Sequence, residues 1–292
     1  MRPTAPVLLS VTLTLLSSCS TAGEQPIVIG TKNFTEQILL GELLAQHLEA
    51  RGLPVERRFD LGSTFICHQA LRAGEIDLYV EYTGTALLAI LKEVPAFDRE
   101  EVYQRVQQAY AEQFNLVWTE PLGFNNTFAI VVRGADARRL NLKTLSDVAP
   151  HAGGWRAGFS YEFMERADGF AGLARTYGLA FSQPPRTMEL GLIYRALEER
   201  QVDIAAGSAT DGILAARDFV MLEDDRHYFP PYYAVPVVRR ETLERYPALR
   251  AALAELAGRF SEEEMRRLNY AVDGEQRDFK QVVREVRQAK GL

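Results

Sequence analysis

Pro26-Ile27-Val28-Ile29-Gly30, Val55-Glu56-Arg57-Arg58-Phe59-Asp60-Leu61 and Ile76-Asp77-Leu78-Tyr79-Val80 are three strand-like runs, and the segments between them decide the fold. The first run is apolar and ends in glycine, the pattern of a buried strand. Thr35 to Arg51 reads as a helix, because Ile38, Leu39, Glu42, Leu43, Gln46 and His47 alternate between apolar and polar faces at helical spacing. Thr35 is placed to cap it and Gly52 to stop it. Thr64 to Ala73 reads as a second helix that ends at Gly74. The opening order β-α-β-α-β implies a parallel sheet flanked by helices.

Farther along, helices are expected at Glu100–Phe114, Leu145–Val148, Ala171–Tyr177, Leu190–Arg200, from Asp211, Glu244–Gly258, Ser261–Val272 and from Glu275. Strands are expected at Val117-Trp118, Phe128–Val132, Arg156–Phe159, Val202–Ala206, Val220–Leu222 and Ala234–Val238. This alternation describes two α/β lobes and not one sheet. The chain is expected to cross between them near Phe124–Thr127 and near Phe229–Tyr233, both rich in Gly, Asn or Pro. Lobe 1 is then 27–125 plus 231–292, and lobe 2 is 126–230. A chain that crosses twice has two hinge strands and a cleft that closes on a ligand.

The composition removes several alternatives. The 292 residues are 47% apolar and 25% charged, with a net charge of −6. A mildly acidic chain of this kind does not bind nucleic acid by bulk electrostatics. Two cysteines build neither a disulfide framework nor a four-cysteine zinc site, and His47, His68, His151 and His227 are scattered, so no metal or cofactor is expected. Residues 1–18 read as an export signal: Arg2 is followed by an apolar run, Pro6 to Leu16, too short to span a membrane. Leu16-Ser17-Ser18-Cys19 resembles the bacterial lipobox, which implies a lipid anchor at Cys19 and a polar tether over 19–26. The expected location is the cell envelope, in the periplasm or on the outer face of the membrane. Cys67, beside His68, reads as a small buried residue, since helix neighbours do not face each other.

Six collinear blocks carry a family resemblance. They are Gly30-Thr31-Lys32-Asn33-Phe34-Thr35-Glu36-Gln37, Gly74 to Thr85, Gly123-Phe124-Asn125-Asn126-Thr127, Glu162 to Gly169, Thr210-Asp211-Gly212 and Phe229-Pro230-Pro231-Tyr232. The chain resembles the substrate-binding proteins of glycine betaine, choline and carnitine importers over about residues 27–285. The resemblance implies an α/β fold of the two-lobed type II periplasmic-binding-protein kind and an ABC permease as partner, and the chain is expected to be a monomer. It also implies that Tyr82 and Tyr232 wall a box for a quaternary ammonium, and that Lys32 and Arg166, helped by Thr85, hold a carboxylate. Such an ammonium has no N–H to donate, so aromatic faces attract it through their quadrupole. Two positions depart from the family: Phe128 stands where tyrosine is usual, and Ser208 where an aromatic is common. Phe65, Phe159, Tyr161 and Tyr233 are candidates to fill the missing wall, Phe65 foremost.

Bland readings stand beside these. Tyr82 and Tyr232 fit ordinary packing, Lys32 a solvated charge, and Arg166 an ion pair with Glu162 or Glu165. Acidic pairs such as Glu75 with Asp77, and Asp224 with Asp225, read as solvated faces or caps. The leading expectation is capture of a quaternary-ammonium compound. The alternatives are another zwitterion or amino-acid-like ligand such as ergothioneine, an enzyme on this fold, or a sensor domain. No G-x-S-x-G or H-E-x-x-H supports the enzyme, so no catalytic residue is expected.

Overall fold

A computed structural model describes residues 25–292; the segment 1–18, Cys19 and the tether up to Glu24 lie outside the described residues. In chain order the strands are β1 (Ile27–Lys32), β2 (Val55–Gly62), β3 (Leu78–Tyr82), β4 (Leu116–Trp118), β5 (Phe128–Arg133), β6 (Ala157–Ser160), β7 (Arg186–Met188), β8 (Ile204–Ser208), β9 (Phe219–Met221) and β10 (Ala234–Arg239). They form two five-stranded sheets, β2-β1-β3-β10-β4 and β7-β6-β8-β5-β9. In the first, β1 is parallel to β2 and β3, and β10 runs antiparallel to β3 and β4. The second repeats the plan, with β6 parallel to β7 and β8, and β5 antiparallel to β8 and β9.

The helices are α1 (Thr35–Glu49), α2 (Thr64–Ala73), α3 (Thr83–Thr85, continued by a π-turn over Ala86–Ile90), α4 (Arg99–Phe114), α5 (Gly134–Leu140), α6 (Tyr161–Glu165) and α7 (Phe170–Tyr177). They continue as α8 (Ile193–Glu198), α9 (Ile213–Ala216), α10 (Arg240–Arg245), α11 (Ala248–Ala254), α12 (Glu262–Asp273) and α13 (Phe279–Lys290). Local chemistry sets their ends. Asp98, Ser261 and Asp278 each accept the N–H three residues on, which caps α4, α12 and α13. Gly74 takes φ +77° and closes α2, a backbone state that a Cβ would oppose.

Several boundaries differ from the sequence reading. The third strand begins at Leu78; just before it the Asp77 backbone bonds Val28 and Arg239, and its side chain takes the Val28 N–H at 2.8 Å. The expected helix Glu244–Gly258 is two helices, α10 and α11, broken at Tyr246-Pro247, where proline has no N–H and its predecessor is driven out of helical space. Leu190–Arg200 is a 3-10 turn followed by the short α8. Thr35 is not the cap of α1: Phe34 holds that position, and the Thr35 hydroxyl donates to Asp273 at 2.6 Å. The helices α3, α5 and α6 and the strand β7 lie where no element was read.

The chain leaves the first sheet after Trp118, enters the second at Phe128, and returns between Met221 and Ala234. The two passages lie side by side. Asn125 forms an isolated antiparallel bridge with Tyr233, the Asn126 N–H donates to the Tyr232 carbonyl at 3.0 Å, and the Tyr232 N–H donates to the Asn125 side chain at 2.7 Å. This α/β arrangement is two-lobed, with a cleft between the lobes.

Candidate ligand-binding cleft

Thr83, just after β3, ties the cleft to the returning passage. Its hydroxyl donates to the Pro231 carbonyl at 2.8 Å and accepts the Tyr233 N–H at 3.0 Å. Gly84 follows, and a Cβ there would fall 2.8 Å from the Pro231 carbonyl oxygen and from the Tyr232 ring. Only glycine lets that ring approach. The run Tyr82-Thr83-Gly84-Thr85 therefore sets a cleft wall, a tether, a close approach and a cleft-lining residue in successive positions.

The cleft has a volume of about 960 Å³, and Lys32, Phe65, Tyr82, Thr85, Phe128, Arg166, Ser208 and Tyr232 all line it. Lys32, Tyr82, Phe128 and Ser208 come from the two sheets, Phe65 and Thr85 from α2 and α3, Arg166 from the end of α6, and Tyr232 from the returning passage. Lys32, at the end of β1, is buried and donates from Nζ to Glu81 Oε1 at 2.5 Å. The same Nζ stands 4.9 Å from the centre of the Tyr82 ring. Glu81 also accepts from the Tyr79 hydroxyl at 2.9 Å and from the Tyr82 N–H at 2.8 Å, so the lysine charge is balanced by a fully coordinated acid.

Arg166 mirrors it on the other lobe. Nε and Nη2 clasp Asp168 at 2.8 and 2.5 Å, while Nη1 reaches Glu162 at 3.1 Å and Thr85 at 3.3 Å. The pair with Glu162 was one of the bland readings, and it forms beside the more buried one with Asp168. Burial works against the Arg166 charge, yet the Asp168 carboxylate more than offsets it and raises the pKa above the ordinary guanidinium value. The guanidinium carbon lies 5.2 Å from the Phe128 ring centre and 6.0 Å from that of Tyr232. The Tyr232 hydroxyl donates to Asp168, and its ring meets Phe128 edge-on at 5.6 Å. Burial, reinforced by the neighbouring acids Glu36 and Asp168, pushes the Tyr82 and Tyr232 phenols well above their usual pKa, so both remain neutral.

The expected substitute walls divide. Phe65 and Tyr161 line the cleft and are 49% and 56% exposed. Phe159 does not line it: it is fully buried between Phe163 and Phe170. Tyr233 is turned away, with the Arg99 guanidinium 4.0 Å above its ring. Ser208 ends β8 directly opposite Phe128, and its N–H donates to Asp211 at 2.8 Å. Two aromatic residues of the lining were missed, Phe34 and Tyr228. Phe34 stacks on Tyr82 at 6.5 Å, and it sat inside a quoted block, where position in the motif was the available signal.

Three other readings are settled by contacts. Cys67 is fully buried, and burial pushes its thiol up to about 12. His68 packs against the rings of Tyr110 and Phe114, and burial lowers its pKa to about 4, so it serves the core. Asp77 is not on a solvated face: it is buried and accepts from Val28 N, the Thr242 hydroxyl at 2.5 Å and Arg245 at 3.1 Å. Among the described residues there is no His, Cys, Asp and Glu cluster able to hold a metal, and no helix long and apolar enough to cross a membrane.

Comparison with known proteins places the chain in a family. Residues 25–288 match the family model described as the substrate binding domain of an ABC-type glycine betaine transport system. A carnitine transport binding protein of Listeria monocytogenes is 36% identical over 96% of this chain and 93% of its own length. An ergothioneine transport permease/ergothioneine binding protein of Helicobacter pylori strain G27 is 34% identical over 92% of this chain; the chain spans about half, 48%, of that relative. The crystal structure of a glycine betaine/carnitine/choline ABC transporter superposes with a TM-score of 0.77 at 34% identity, covering 90% of this chain and 98% of the other. The fold is that of the type II periplasmic binding proteins, and the chain belongs to the family of substrate-binding domains of ABC-type glycine betaine transport systems.

Proposed function

We propose that this chain captures a small quaternary-ammonium compound, glycine betaine, choline or a related betaine, in the cleft between its lobes and delivers it to an ABC permease. The family is one of transport proteins working outside the cytoplasm and not an enzyme family. The observation that carries the ligand reading is the juxtaposition of rings and cations. Lys32 lies 4.9 Å from the Tyr82 ring, and Arg166 lies 5.2 and 6.0 Å from those of Phe128 and Tyr232. A molecule with a carboxylate and a methylated ammonium a few atoms apart spans that spacing. Its carboxylate takes the remaining N–H groups of Lys32 and Arg166, with the Thr85 hydroxyl, and its methyl groups take the ring faces. Each face contributes roughly 0.5–2 kcal/mol.

A bulkier betaine or another zwitterion is the second reading. It is favoured by Ala206, Gly207 and Ser208, which leave the cleft floor opposite Phe128 without a ring. Titration calorimetry of residues 20–292 against glycine betaine, choline, carnitine, proline betaine and ergothioneine tests both. Saturable binding of a short betaine or choline supports the first reading, tight binding of a long one alone supports the second, and silence across the panel overturns both. We further propose that the chain acts as a monomer anchored by lipid on Cys19. Cys19→Ser is then released from the membrane fraction, and continued retention of that variant refutes the anchor.

A further inference from the structure

Behind the cleft wall lies a buried acid that the binding reading leaves unused. Glu36, in the first turn of α1, is 3% exposed and receives three side-chain donors from three separate parts of the chain. The Tyr82 hydroxyl donates at 2.6 Å, the Asn126 amide at 2.8 Å and the Asn269 amide at 3.2 Å. Tyr82 walls the cleft, Asn126 lies in the first passage between lobes, and Asn269 belongs to α12. The same Asn269 nitrogen donates to the Thr210 carbonyl of the second lobe at 2.8 Å. The Tyr82 hydroxyl in turn accepts from Gln37 at 3.0 Å, so it is held on both sides. Packing at this joint leaves no slack: a Cβ on Gly212 would fall 2.4 Å from the Tyr270 nitrogen of α12.

A carboxylate suits all three of these donors, since both of its oxygens only accept. An amide in its place turns two N–H groups toward groups that are themselves donors. Burial of such a network makes its members interdependent. We propose that Glu36 is a positioning residue that couples the Tyr82 wall to the joint between the lobes. A change in the set of the Tyr82 ring is passed through Glu36 and Asn269 to Thr210. The ligand-dependent half of this inference rests on the functional reading above; the coupling itself does not.

Hydrogen–deuterium exchange of the ligand-free chain tests the coupling. Tyr82→Phe removes only a hydroxyl, and Glu36→Gln keeps size and fold. Both variants are expected to raise exchange at amides 208–212 several-fold while distant core strands stay protected. No rise at 208–212, or a rise spread evenly over the chain, overturns the proposal. For whichever ammonium compound binds the parent chain, each single change is expected to weaken binding about tenfold and the double change no further. Multiplying losses overturn it as well. Should nothing in the panel bind, the functional reading falls and the exchange comparison still decides the coupling.

Discussion

Tyr232 shows a ring and its hydroxyl serving different partners. The ring meets Phe128 and faces the cleft, while the hydroxyl serves Asp168, which in turn holds Arg166. Tyr232→Phe is expected to lower stability by about 1 kcal/mol, the worth of one buried hydrogen bond, and to weaken an ammonium ligand only a few-fold. Tyr232→Ala is expected to weaken it at least tenfold more, in calorimetry on the same preparations; equal losses would show that the hydroxyl carries the binding. Asp211 gives a pH-dependent case. Its carboxyl accepts from the Tyr194 hydroxyl at 2.6 Å and from Ser208 N–H, and burial raises its pKa from 3.8 to about 6. The folded chain thus holds this proton more tightly than the unfolded one. The stability it contributes is fully present below about pH 4 and is lost as pH rises through about 6. Asp211→Asn keeps both hydrogen bonds and is expected to gain about 1–2 kcal/mol at pH 7.5, flattening thermal unfolding between those pH values. A variant no more stable than its parent at pH 7.5 refutes this. At this scale Lys32, Arg166, Tyr82 and Tyr232 were legible in the motif blocks, while Phe34 and Tyr228 were missed. Of the acid partners, Glu162 was legible at helical spacing from Arg166, whereas Glu81 reaches Lys32 and Asp168 reaches Tyr232 only across the folded chain.

Among the elements, the regular pieces were legible where apolar periodicity runs up to a stop. α1, α2 and α4 have apolar spacing and clear stops, and the parallel core of the first sheet follows from the opening β-α-β-α-β order. The rest was hidden for physical reasons. β7 is a three-residue edge strand with two exposed positions, and α3 with its π-turn is specified by what packs on it. Gly84 in α3 is the sharpest instance. Gly84→Ala places a methyl against the Pro231 carbonyl and the Tyr232 ring, and is expected to lower stability by about 1–3 kcal/mol and to weaken ligand binding at least tenfold. Thermal unfolding and calorimetry on the same sample separate the two effects. Unaltered binding in a stable variant would show that Tyr232 is not held in place by this contact.

At the scale of the whole molecule, both sheets follow one plan, and exposed apolar and aromatic side chains line the cleft between them. Phe65 on one lobe faces solvent, as do Tyr161 and Leu190 on the other, and all three line the same opening. Closure around a ligand would bring these rims together and bury them. Spin labels on cysteines introduced at Lys92 and Glu165 are expected to approach each other when the binding compound is added. In residues 20–292 the native cysteine that remains, Cys67, is fully buried and leaves the labelling background silent. An unchanged distance at saturation would refute closure. The side-by-side passages at Asn125 and Tyr233 carry a consequence for how such a protein can be rebuilt. Neighbouring strands lie about 4.8 Å apart, so everything between these two residues departs from and rejoins the first lobe through a single narrow seam. In genetic terms the second lobe is a cassette: a short turn joining Asn125 to Tyr233 leaves the first sheet with all five strands, and a foreign lobe with equally close ends can be spliced at the same place.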